Sequence, residues 1–297
     1  MKKIKAVWEL MRLEHGVMIA IAILIGSLIA LDGKAVPPFD KFILTFFTAL
    51  FLEASTFALN DYYDLEIDKK NKRLDRPLVR GDLIPKSALY LFLIFFPLGL
   101  ICSFFVNWTC FVIALITAFL AILYDVYLKK IKLIGNFYIA YVMAIPFIFG
   151  GAAVIAKDFL FFDINSAIYI IALIAFLTGS GREIMKDVMD FIGDKASGIK
   201  SFPRYIGERV SNIIAALFFI IAIIFSFFPF FMKTFEIYFL NYTYLGLVFI
   251  TDTMLLSTSL QLILKKKPPL KVLRKFSLIA ILIGLFAFLI GIFLPIQ

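Results

Sequence analysis

The feature that most limits what this chain can fold into is a succession of long apolar stretches separated by short polar connections. A hydrocarbon layer of roughly 30 Å is crossed by about 20 helical residues rising about 1.5 Å each. Nine stretches approach that length: Val17–Leu31, Phe42–Leu59, Ser87–Val106, Thr109–Tyr127, Leu133–Ala156, Ile164–Gly181, Ser211–Phe231, Phe239–Leu264 and Phe276–Leu294. Composition agrees, because 62% of the 297 residues are hydrophobic, 17% are charged and 36 are Phe, outside the range of soluble domains. The expected fold is all-α and integral to the membrane, a bundle of nine transmembrane helices forming one polytopic domain over residues 1–297. The first span begins in an amphipathic lead carrying Trp8, Met11 and Glu14, and no small-residue cleavage site follows it, so it is expected to be retained.

The formal charge of +9 would suit a nucleic-acid binder if the basic residues were scattered. Placed on the nine-span model, 26 of the 30 Lys and Arg fall on one side: the N-terminus, the loops 69–86, 129–132 and 182–209, and the cluster 265–275. The other side holds Lys34, Lys41, Lys157 and Lys233. The positive-inside rule then predicts a cytoplasmic N-terminus and an external C-terminus. Much of this charge reads as topology signal and contact with anionic membrane lipids, with no nucleic acid involved.

Acids gather in two of the same basic regions. After the second span comes Asn60-Asp61-Tyr62-Tyr63-Asp64-Leu65-Glu66-Ile67-Asp68. If the helix continues, Asp61, Asp64 and Asp68 fall within about 60° of arc, since each residue turns about 100°. After the sixth span, Asp187, Asp190 and Asp194 repeat the spacing at an offset of 126 residues. The same offset relates Lys69 to Lys195, Pro77 to Pro203 and Gly81 to Gly207. Four spans separate the copies, so a parallel repeat of helices one to four and five to eight is expected, with both clusters on the cytoplasmic side and the ninth helix left over.

Six carboxylates at one membrane face repel one another unless something cationic joins them. Oxygen-only donors without His or Cys suit a hard ion, and magnesium characteristically takes one or two carboxylates together with water and substrate phosphate. Basic residues flank each cluster and can hold phosphate oxygens: Lys72, Arg73, Arg76 and Arg80 after the first, Lys186 before the second, and Lys195, Lys200 and Arg204 after it. A magnesium diphosphate complex fits this pattern.

Other candidates read more plainly. Asp64, Glu66, Asp68 and Asp75 faintly mimic a calcium loop, but Lys69 stands where such a loop needs Gly. His15 is a substrate contact or, more simply, an interfacial side chain. Glu66 points away from the Asp face. Cys102 and Cys110 lack metal-ligand spacing and read as small buried hydrophobes. A secondary transporter would place its polar groups near the midplane on broken helices, whereas these acids lie at helix ends.

Asn60-Asp61-x-x-Asp64-x-x-x-Asp68 resembles the first aspartate-rich motif of the UbiA superfamily of intramembrane prenyltransferases, and Asp190-x-x-x-Asp194 resembles the second. Arg73-Leu74-Asp75-Arg76-Pro77-Leu78 is similar to the Arg-Pro stretch that follows the first motif, and Tyr124 with Lys129 is similar to a Tyr and Lys pair that contacts diphosphate, here five residues apart where four is usual. The segments 12–16 and 182–203 look most like the branch serving archaeal ether lipids.

The resemblance implies transfer of geranylgeranyl from an isoprenyl diphosphate donor to the hydroxyl of a lipid phosphate acceptor, geranylgeranylglyceryl phosphate. The six aspartates would hold Mg2+ and carry catalysis, Asn60 would orient the first cluster, and the flanking Lys and Arg with Tyr124 would bind substrate. A sister activity of the superfamily, prenylation of an aromatic quinone precursor, would use the same aspartates.

Overall fold

The computed structural model describes residues 2–13, 16–70, 72–155, 166–196 and 198–294. Both Glu14 and His15 lie outside them. The described chain is helical: α1 (Lys2–Met11), α2 (Gly16–Ala30), α3 (Phe39–Lys70), the single turn α4 (Pro77–Arg80), α5 (Pro85–Val106), α6 (Trp108–Val126), α7 (Lys132–Val154), α8 (Ser166–Ala196), α9 (Phe202–Ser226), the turn α10 (Phe228–Phe231), α11 (Tyr242–Leu264) and α12 (Leu270–Phe293). Among the described residues eight helices are long and apolar enough to cross a membrane, and α1 with α2 makes a ninth if that bent pair is one span.

Two helices are far longer than a bilayer requires. The 32 residues of α3 and 31 of α8 extend about 48 and 46 Å at about 1.5 Å per residue, so roughly three turns of each run beyond a 30 Å apolar layer. Those extra turns carry the acids. Sequence hydropathy ends these spans at Leu59 and Gly181, but the polar turns that follow remain helical, so the carboxylates sit on rigid extensions of membrane helices.

The backbone beyond each extension follows one pattern. The amide of Arg73 donates to the carbonyl of Asp68 at 3.0 Å, and that of Ile199 donates to Asp194 at 2.9 Å, 126 residues further on. Lys72 and Gly198 both take positive φ (52° and 73°), and Gly81 and Gly207 share φ of 78°. Pro77 opens α4 as Pro203 opens the first turn of α9, where the missing N–H of proline costs nothing.

Small residues allow the bundle to close where helices cross. A Cβ added at Gly26 of α2 would lie 2.0 Å from the carbonyl oxygen of Phe147, and one at Gly150 of α7 would lie 2.1 Å from that of Ile23. Ser27 uses the close approach to donate to the carbonyl of Gly150 at 2.8 Å. In lipid, where apolar surface gains little from pairing with apolar surface, such backbone contact is what holds helices together. Cys102 and Cys110 are free thiols, the second fully buried.

Candidate active site

A cavity of about 580 Å³ lies among α2, α3, α6, α7, α8 and α12. Its apolar part is walled by side chains such as Leu52, Ile113, Ala118, Pro146 and Phe149. Polar residues line the rest: Arg12, Asn60 and Arg76 from the first half, Tyr124 and Asp125 from α6, Glu183 and Lys186 from α8. The two aspartate clusters flank this polar portion, one following Asn60 on α3 and the other following Lys186 on α8.

Within the first cluster, Asp61 accepts from Arg12 Nη2 at 2.8 Å and lies 3.4 Å from Arg76 Nη1. Its second oxygen, Oδ2, is buried without a hydrogen-bond partner among the described residues. Asp64 pairs with Lys129, and Asp68 lies 3.8 Å from Arg76 Nε. Helical phase therefore acts as expected: Asp61 and Asp68 are buried on one face, while Glu66 is exposed on the other and binds Lys69 at 2.9 Å.

The second cluster is built around one lysine. Lys132, at the start of α7, places Nζ 2.6 Å from Asp194 and 3.4 Å from Asp187. Asn136, one turn along, donates to Asp187 Oδ2 at 2.8 Å. Asp190 has no ion pair within 4 Å among the described residues, although the acid-binding Lys132 senses its charge. The loop contributing Lys200 is tied in by its backbone, its amide donating to the carbonyl of Lys130 at 3.0 Å.

The remaining basic candidates divide. Arg76 reaches both Asp61 and Asp68, and Lys186 pairs with Glu183 at 3.0 Å on the cavity wall. Arg73 instead grips Asp75 through two hydrogen bonds of 2.9 and 2.7 Å, which hold the Asp75 carboxyl down to about 2. Arg80 pairs with Asp82 at 2.7 Å and with Glu9 of α1. Lys72, Lys195, Lys200 and Arg204 are exposed and are not part of the cavity wall, with Arg204 donating to the carbonyl of Ile199 at 3.1 Å and Lys195 over the ring of Phe191.

One expected contact differs. The hydrogen bond that Asn60 makes is not to the first cluster: its Nδ2 donates 2.7 Å to Asp125 Oδ1 on α6, so the side chain faces across the cavity. Of the Tyr124 and Lys129 pair, Tyr124 stacks on Tyr138 at 4.9 Å within the cavity and Lys129 pairs with Asp64. Sequence reading overlooked Asp125, Asn136, Lys132 and the structural part played by Arg12. Asp125 and Asn136 carried a usable signal, because polar side chains inside apolar spans are expensive and so mark function by default.

Among the described residues no three carboxylates, His or Cys converge closely enough to hold one ion. Arg12, Arg76, Lys129 and Lys132 meet that charge instead. The donor set nevertheless suits a hard divalent ion arriving with phosphate: every ligand is oxygen, and among the described residues Asp61 Oδ2 lacks a hydrogen-bond partner and Asp190 lacks an ion pair within 4 Å.

Acid clusters beside the polar end of an apolar cavity within a helical membrane bundle define a polytopic membrane protein with an amphipathic cavity. The profile of the UbiA prenyltransferase family matches residues 19–279, and the chain belongs to this family. It is 39% identical over 291 residues to the digeranylgeranylglyceryl phosphate synthase of Archaeoglobus fulgidus, covering 98% of this chain and 96% of that protein. The Methanosarcina mazei synthase of the same name is 33% identical over 299 residues, covering 97% and 99%. A solved structure of a digeranylgeranylglyceryl phosphate synthase superposes with a TM-score of 0.80 at 33% identity over 98% of this chain and 99% of that one. The fold is shared more distantly with a UbiA homolog of Archaeoglobus fulgidus bound to DMAPP and Mg2+, at TM-score 0.63 and 16% identity, covering 97% of this chain and 99% of that one.

Proposed function

We propose that this chain transfers a geranylgeranyl group from geranylgeranyl diphosphate to the free hydroxyl of geranylgeranylglyceryl phosphate, giving digeranylgeranylglyceryl phosphate and diphosphate. The observation carrying this reading is the pair of aspartate clusters flanking the polar end of one apolar cavity. The full-length similarity to synthases of that product supports the choice of acceptor.

The cavity accepts the prenyl tail along Leu52, Ile113, Ala118 and Phe149, which leaves the diphosphate at the acidic end. Asp61, Asp64, Asp68, Asp187, Asp190 and Asp194 would hold Mg2+ there, and the ion would neutralise the leaving diphosphate. Arg12, Arg76, Lys129 and Lys132, which pair with these aspartates, turn to phosphate oxygens as substrate enters. The allylic C–O bond breaks, the acceptor oxygen forms the new ether bond, and its proton passes to a basic oxygen of a carboxylate or of the diphosphate. Burial in the bundle excludes water from the allylic cation, and Tyr124 and Tyr138 present π faces that tolerate positive charge.

By the positive-inside rule, the basic residues concentrated at the Asp-bearing end support a cytoplasmic site and N-terminus and an external C-terminus. The test is conversion of radiolabelled geranylgeranyl diphosphate by purified protein with geranylgeranylglyceryl phosphate, in magnesium or EDTA. Wild type is expected to form the diether only with magnesium, and Asp64→Ala and Asp190→Ala to form little. Alkylation of aromatic acceptors alone would overturn the reading, and undiminished product from either variant would remove that cluster from the mechanism.

A further inference from the structure

The two halves of the repeat agree at the acids and part company on the cavity wall. At the 126-residue offset, Arg182 corresponds to Thr56 and Lys186 to Asn60, and all four line the same cavity. A positive charge replaces a neutral side chain at both positions of the second half. Arg274, on the helix outside the repeat, joins the same wall, and the two guanidiniums sit near enough to repel.

Neither arginine has an ion pair within 4 Å among the described residues, and Arg182 Nε is buried without any hydrogen-bond partner. Glu183, the neighbouring acid, acts on Arg182 through its charge but makes its ion pair with Lys186, at 3.0 Å. Two adjacent unpaired guanidiniums in a partly desolvated cavity are costly unless an anion completes them. The diphosphate held at the aspartates is not that anion, because Arg182 precedes Asp187, the first acid of its cluster, by five residues, about 7.5 Å of helix, and so lies deeper than the cluster.

Resting on the reading above, we infer that Arg182 and Arg274 form a second anion subsite that binds the phosphate monoester of the acceptor lipid. Arg182 offers Nε and its terminal nitrogens in a fork that matches a tetrahedral phosphate, while Arg274 neutralises the second charge. An acceptor held there keeps its hydroxyl inside the cavity, between its own phosphate and the donor at the aspartates. The subsite also gives a physical reason for preferring a phosphorylated acceptor to an uncharged aromatic one.

The experiment measures acceptor and donor KM separately for purified wild type, Arg182→Gln, Arg274→Gln and Arg274→Lys, in detergent free of anionic lipid. The acceptors are geranylgeranylglyceryl phosphate and its dephosphorylated analogue. Each Gln variant is expected to raise KM for the phosphorylated acceptor by about tenfold or more, the loss of one charge-assisted hydrogen bond, with donor KM unchanged and Arg274→Lys partly restored. The analogue's KM should be the same in all four proteins. A raised donor KM instead would assign the arginines to the diphosphate, and lowered kcat with both KM values unchanged would make them structural, so either result overturns the subsite. Binding of the phosphorylated acceptor without donor or magnesium, followed as a shift in melting temperature, separates the two readings. If wild type binds it yet forms no ether, the proposed reaction falls and the subsite stands, whereas ether formation with wild-type binding in both Gln variants removes the subsite alone.

Discussion

Asn60 of α3 and Asp125 of α6, 65 residues apart in sequence, meet across the cavity through a hydrogen bond of 2.7 Å from Nδ2 to Oδ1. Asp125 is buried, and the bond links the helix bearing the first acid cluster to the helix bearing Tyr124. Removing the carboxylate by Asp125→Ala leaves the Asn60 amide without its acceptor, at a cost of about 1–3 kcal/mol. Thermal unfolding in detergent should show a lower melting temperature for Asp125→Ala and a smaller fall for Asp125→Asn, whose side-chain carbonyl still accepts.

Lys132 carries a heavier electrostatic load, because it stands between two buried acids, Asp187 and Asp194. Replacement by Met keeps the chain length and removes the charge. Breaking a buried ion pair from one side costs about 3–5 kcal/mol, since the carboxylates left behind are uncompensated. Lys132→Met should therefore unfold at markedly lower temperature in EDTA than wild type does. An unchanged melting temperature would show that water reaches these acids freely.

Gly26 and Gly150 are predicted to be intolerant of even one added methyl. An alanine Cβ at either position would overlap a backbone carbonyl of the partner helix, and backbone cannot move aside as a side chain can. Gly26→Ala and Gly150→Ala should each reduce the yield of folded, monodisperse protein. Gly246→Ala, where the added carbon meets open space, should match wild type on the same size-exclusion column.

The Arg73 and Asp75 pair sets an expectation for pH. Hydrogen bonds from Arg73 depress the Asp75 carboxyl to about 2, below the unfolded value near 3.8. A depressed acid contributes its stabilisation above the unfolded value and loses it as pH falls through the folded one, so this loop contact persists down to about pH 2. Any loss of activity between pH 6 and 4 then originates elsewhere, and Asp75→Asn should show the same acid limb of the pH–rate profile as wild type. An acid limb shifted in that variant would contradict the assignment.

Much was legible in sequence because two signals are local. Long apolar runs specify membrane helices wherever the chain goes, since burial of every backbone polar group within a helix needs no partner. The spacing of Asp61, Asp64 and Asp68, and its return at Asp187, Asp190 and Asp194, specifies a common face by helical geometry alone. The offset of 126 residues likewise reappears in the backbone, at Lys72 with Gly198 and at Gly81 with Gly207.

What the tertiary structure alone decided is who meets whom. Periodicity can place Asn60 at the edge of an acid motif, but it cannot show that the side chain reaches Asp125 on another helix. Nor can it distinguish Lys132, enclosed between two carboxylates, from Lys130 two residues earlier and exposed. In sequence, Arg274 counted only toward the positive side of the membrane and Arg12 and Arg182 toward that and a family resemblance, yet packing turned all three onto one cavity. The reason is physical: a hydrogen bond or ion pair forms only within a few ångströms, and those distances depend on how the helices pack around the cavity, which no single helix carries in its own sequence.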